Sequence, residues 1–86
     1  MSNKINLKIK ALAATIRRKR EIKNYTQEYL AYKLNISQNA YSKIELSYTK
    51  ITVERLFQIA EILEINPMEL LDADEGDTNF LNTGTD

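Results

Sequence analysis

The chain has no cysteine and no histidine. Disulfide staples, thiol nucleophiles, imidazole bases and ordinary zinc sites are therefore excluded. Both glycines, Gly76 and Gly84, lie in the last eleven residues. No apolar run exceeds a few residues, so nothing is built to span a bilayer, and the opening MSNKINLK lacks the apolar centre of a signal peptide. These absences point to a cytoplasmic protein without a membrane role. The remaining Asp, Glu, Lys and Tyr show no paired spacing beyond the decoration of helices. At 86 residues the chain is also too short for a substrate cleft. The expectation is a non-enzyme that needs no metal and no cofactor.

What is present is one small domain's worth of sequence. Hydrophobic residues make up 43%, enough for a compact core but not for a large ligand cavity. A net charge of zero conceals a polarised distribution. Residues 1–50 hold eleven Lys/Arg against Glu21, Glu28 and Glu45, a net +8; residues 51–86 hold Arg55 against nine acids, a net −8. A strongly basic half is the electrostatic footprint of a phosphate binder.

Hydrophobic spacing predicts helices throughout and no strand. Residues 1–5 read as frayed. A first helix runs from about Asn6 to Lys23, with Ile9, Leu12, Ala13 and Ile16 as its buried face. Arg20 continues that apolar stripe and so calls for a partner. The stretch from Thr26 to Leu46, TQEYLAYKLNISQNAYSKIEL, reads as two short helices around a tight turn. Thr26 and Ser37 are their caps, Tyr25 staples the entry to the first, and Asn35 is its stop. Leu30, Ala31 and Leu34 form one apolar stripe, and Tyr41 with Ile44 another. Helices of about two turns are not stable alone, so the remaining chain must bury those stripes. A fourth helix follows Thr52, carrying Val53, Leu56, Phe57, Ile59, Ala60 and Leu63. Asn66-Pro67-Met68-Glu69 signals a short fifth: Asn cap, Pro at the first position and Glu three residues on. After Asp72 the composition turns acidic, without Lys or Arg, and predicts a disordered tail over 72–86. That tail solvates the domain, docks Phe80 and Leu81 on a protein partner, or lies over the basic face as an autoinhibitor.

The second helix of the pair leaves Gln38, Asn39, Ser42 and Lys43 on its polar face. Gln and Asn donate and accept together, which matches the N6/N7 edge of adenine, and the major groove admits an α-helix read by its first turns. The stretch resembles the helix-turn-helix of the Cro/C1-type (XRE) family of repressors and regulators. The similar residues extend from Leu12, Ile16-Arg17 and Arg20 through Tyr25-Thr26-Gln27, Leu30-Ala31, Leu34, Ile36-Ser37-Gln38 and Ser42-Lys43-Ile44-Glu45. They end with Leu56, Ile59-Ala60, Leu63 and Ile65 through Leu71, about two thirds of the chain without a gap in spacing. Departures occur where the family usually has glycine at helix ends, here Asn24, Asn35, Ser47 and Glu64. Asn supplies a positive φ at modest cost; Ser and Glu fit less well. Ile51 and Lys19 also replace a usual proline and leucine.

The resemblance implies an all-α, five-helix, lambda-repressor-like domain over residues 6–71. Its function would be sequence-specific binding of double-stranded DNA by a transcriptional regulator, a repressor in the leading reading. In that pose the helix starting at Ser37 enters the major groove and Gln38, Asn39, Ser42 and Lys43 read bases, with Lys43 at a guanine edge or at a phosphate. Thr26, Gln27, Ala40, Tyr48 and Lys50 hold phosphates. Tyr29 and Tyr32 touch the DNA backbone or merely cover surface. Arg20 and Glu45 form a partly buried ion pair. Surplus apolar surface at Phe57, Ile62, Ile65 and Met68 predicts a homodimer on a palindromic operator, with recognition helices about 34 Å apart. The alternatives on the same fold are an antitoxin, a restriction–modification controller, or an interaction adaptor that no longer binds DNA.

Overall fold

A computed structural model of the chain describes residues 2–72. Among them lie five helices and no strand: α1 Ser2–Ile22, α2 Gln27–Leu34, α3 Gln38–Glu45, α4 Val53–Leu63 and α5 Pro67–Leu71. The predicted acidic tail from Ala73 onward lies outside the described residues.

Each short helix starts at a residue that can satisfy a free N–H. The hydroxyls of Thr26, Ser37 and Thr52 accept from the backbone of Tyr29, Ala40 and Arg55, each at 3.0 Å. Asn66 accepts from Met68 N–H at 2.8 Å while Glu69 accepts from the Asn66 N–H at 3.2 Å, the reciprocal box its spacing predicts.

Four helix ends share one geometry. Asn24, Asn35, Ser47 and Glu64 take φ of 61°, 62°, 58° and 59°. The residue after each donates back across the turn: Tyr25 to Arg20, Ile36 to Ala31, Tyr48 to Lys43 and Ile65 to Ala60, all at 2.9–3.1 Å. This is the six-to-one closure that caps the free carbonyls of a helix end, ordinarily around glycine. Ser47 and Glu64 hold it despite a Cβ that disfavours the left-handed region by about 1–2 kcal/mol.

The core gathers Ile16, Leu30, Ala31, Leu34, Tyr41, Ile44, Leu56, Ile59, Ala60, Leu63 and Leu70. α1 packs on α3, α4 and α5, while α2 packs on α3 and α4. α1 and α4 thus hold the α2–α3 pair in place, and α5 braces α1 and α4. Two expectations for α1 need correction. The helix begins at Ser2 rather than near Asn6, because Asn, Lys, Ile and Leu there contain no breaker. Ile9 is 42% exposed instead of buried, whereas Ala11 and Thr15 are inside. Its N-terminal half overhangs the packed core, so an apolar face there meets less protein than periodicity alone implies.

Candidate nucleic-acid interface

The best-tied side chains in the molecule sit behind α3. Arg20 Nε donates to Glu45 Oε2 at 2.7 Å and its Nη2 to Oε1 at 3.0 Å, a two-pronged pair in which the carboxylate is 2% exposed. Arg20 Nη1 also donates to the Tyr25 carbonyl at 2.8 Å, Gln27 Nε2 donates to Glu45 Oε1 at 3.0 Å, and the Tyr41 hydroxyl donates to Glu45 Oε2. One carboxylate at the end of α3 is therefore gripped from α1, from the start of α2 and from within α3. Burial alone would raise the Glu45 pKa, but the hydrogen bonds from Arg20, Tyr41 and Gln27 outweigh it and hold the carboxyl below its usual value. Hydrogen bonding to Glu45 raises Arg20, and burial followed by the Glu45 contact pushes the Tyr41 hydroxyl far above its usual range. A buried network in which one carboxylate takes four donors from three elements favours one arrangement of those elements. Here it fixes the angle of α3.

With its back pinned, α3 turns a polar face outward. Gln38, Asn39, Ala40 and Lys43 are exposed and Ser42 is half-buried. Beside this face lies an open cleft of about 420 Å³ between α3 and the start of α4. Asn39, Lys43, Thr49, Lys50 and Arg55 line it. Three cations thus border one concave strip beside two exposed amides, with none of the described acids among its lining residues. Phosphate chemistry fits such a rim; a buried catalytic group does not occur there.

The other expected contact residues have diverse local commitments. Thr26 caps α2 with its hydroxyl, and the Ala40 N–H is taken by Ser37. Gln27 gives one amide hydrogen to Glu45, leaving the second for an outside acceptor. Lys50 is exposed and Tyr48 is 76% exposed. Tyr48 stands out by comparison with the equivalent residues of the other three turns. Tyr25, Ile36 and Ile65 all pack against the core, whereas Tyr48 projects from it. Tyr29 stacks on Tyr25 with ring centroids 4.6 Å apart, and Tyr32 is exposed.

Arg55 was not among the expected site residues. Its signal was available: it is the lone cation of residues 51–86 and falls in the first turn after the Thr52 cap. On the opposite side, Phe57 and Met68 are 52% and 56% exposed, while Ile62 and Ile65 are partly buried against the core.

A helix-turn-helix family model matches residues 16–70, well over half of the chain. No curated protein sequence matches it. Two crystal structures of the clp gene regulator ClgR from Corynebacterium glutamicum are similar in fold. One gives a TM-score of 0.69 at 26% identity over 72% of this chain and 80% of that one; the other gives 0.75 at 22% identity over 88% and 81%. The chain belongs to the Cro/C1-type helix-turn-helix family of DNA-binding transcriptional regulators.

Proposed function

We propose that the protein is a sequence-specific regulator, acting as a repressor, that inserts α3 into the major groove of a palindromic operator. The observation that carries this reading is the exposed polar strip Gln38, Asn39, Ser42 and Lys43 alongside the cleft rimmed by Lys43, Lys50 and Arg55. Base reading falls to Gln38 and Asn39, whose amides match adenine edges, and to Ser42 and Lys43 one turn on. Lys50, Tyr48, Gln27 and the N–H groups at the starts of α2 and α3 that Thr26 and Ser37 leave uncapped hold phosphates and set the register. Arg55 joins them from α4. The similarity to ClgR, a regulator of clp genes, supports transcriptional control as the role.

Two copies joined through Phe57, Ile62, Ile65 and Met68 would place two recognition helices about one helical turn of DNA apart. Exposed Val53, Phe57, Met68 and Leu71 favour such a pairing, because lone monomers seldom leave so much apolar surface bare. The direct test is selection of bound fragments from random duplexes by the purified protein. A two-fold symmetric consensus is the expected result, and recovery of fragments with no common sequence would refute sequence-specific binding.

A further inference from the structure

A second groove lies away from α3. Ile5, Lys8, Ile9 and Leu12 of α1 face Leu70 and Leu71 of α5 across a depression of about 340 Å³, and no residue of α3 lines it. It exists because α1 overhangs the core: Leu12 packs partly against the core, but Ile5 and Ile9 stay 53% and 42% exposed. Its charge is one-sided on the α1 wall. Lys8 lines it, Lys4 and Lys10 flank it in sequence, and residues 1–20 contain no acid.

We propose that this groove is a docking site for the chain's own acidic stretch, with Phe80 and Leu81 seated between Ile5, Ile9 and Leu71. Three facts favour this occupant over another. Asp72 itself lines the groove, so the chain leaves the domain at its edge. Residues 73–86 contain Asp74, Glu75, Asp77 and Asp86 without a single Lys or Arg, complementary to Lys8 on the groove wall and Lys4 one turn before it. Phe80 and Leu81 are the only large apolar side chains in that stretch. Reach is ample: seven intervening residues span up to about 25 Å, whereas Ile5 lies only about 10 Å along α1 from Leu12. A tether this short gives an effective concentration near the millimolar range, so even a weak apolar contact is populated. The proposal does not depend on how α3 reads DNA.

The absence of cysteine makes the test clean. Thr83→Cys in the full chain takes a nitroxide label, and amide NMR reads which residues it broadens. Strong broadening at Ile5, Lys8, Ile9, Leu70 and Leu71 is expected, with its loss when Phe80→Ala and Leu81→Ala are added. Labelled protein mixed with an isotopically labelled, nitroxide-free copy separates contacts within a chain from contacts between chains. No broadening at the groove overturns the proposal. So does broadening centred on Gln38 to Lys43, which would place the stretch over the DNA-reading face. Equally strong broadening of the nitroxide-free copy in the mixed sample would assign the groove to the stretch of a second copy and overturn docking within one chain. Broadening that survives the double alanine change would remove Phe80 and Leu81 from the contact. Circular dichroism of both variants guards against loss of the domain.

Discussion

Glu45 does more for this molecule than any residue that faces solvent. It is buried, and four donors from Arg20, Gln27 and Tyr41 converge on its two oxygens. Removing it strands the Arg20 guanidinium in a site where little water reaches. Glu45→Ala is therefore expected to cost about 3 kcal/mol, whereas Glu45→Gln, which retains acceptor capacity, costs less; urea denaturation measures both. The pH dependence follows from the lowered pKa. A carboxyl held below its unfolded value contributes stability that is complete above the unfolded pKa and is lost as pH falls through the folded one. Acid should destabilise the wild type through this group, and Glu45→Gln should show a shallower loss over the same window. Equal acid sensitivity in the two proteins would mean that the network does not carry the effect.

Ser47 gives the opposite case, a residue at odds with its own backbone. Its φ of 58° suits glycine, and its turn closes α3. Ser47→Gly relieves the Cβ penalty but gives the unfolded chain more freedom, so a net gain of about 0.5–1 kcal/mol is expected in thermal or urea unfolding. Glu64 sits in the same geometry but also accepts from Lys23. Relief at that position therefore comes with a lost ion pair.

Among the elements, helix starts are legible in sequence and α1 is not. Thr26, Ser37, Thr52 and Asn66 announce their helices because capping is a local interaction between neighbours. The beginning of α1 offers Ser2, Asn3 and Asn6 as cap-type residues, and nothing local chooses among them. Ile9 shows the limit of periodicity. Spacing identifies an apolar face correctly, but not whether another element lies opposite it. Ser47 and Glu64 are poor fits to a left-handed turn by residue type, yet both hold it, Glu64 with Ile65 packed against the core and Ser47 with Tyr48 N–H closing on the Lys43 carbonyl. Arg55 stands out in sequence as the lone cation of the acidic half, but its place beside Lys43 and Lys50 follows from the fold, which carries α4 to the edge of α3.

The cleft between those two helices sets a prediction of its own. Lys50 sits on its rim, and the phosphate contact proposed for it carries no sequence information. Lys50→Ala should weaken binding to specific and random duplexes alike. It should also reduce the slope of log affinity against log salt by about one unit. A loss confined to the preferred duplex would instead make Lys50 a reader of bases.

At the scale of the whole molecule, the proposal gives two surfaces two tasks. α3 and the cleft it shares with Lys50 and Arg55 would face DNA, while α4 and α5 leave Phe57 and Met68 exposed for a second copy. Sedimentation should find a dimer, at least on palindromic DNA, and Phe57→Glu should convert it to monomer without unfolding it, since this ring is half in solvent already. Monomer under every condition would remove the proposed dimer while leaving the fold untouched.

If the exposed amides of α3 read bases, Gln38 must matter more on one DNA sequence than on DNA at large. The affinities of wild type and Gln38→Ala are measured on the selected duplex and on random duplex, at one salt concentration, after circular dichroism has verified folding of the variant. The account predicts a loss of about 1–3 kcal/mol on the selected duplex and a much smaller loss on random DNA. Equal losses on both duplexes would contradict it and move the sequence preference to DNA shape or to the exposed tyrosines.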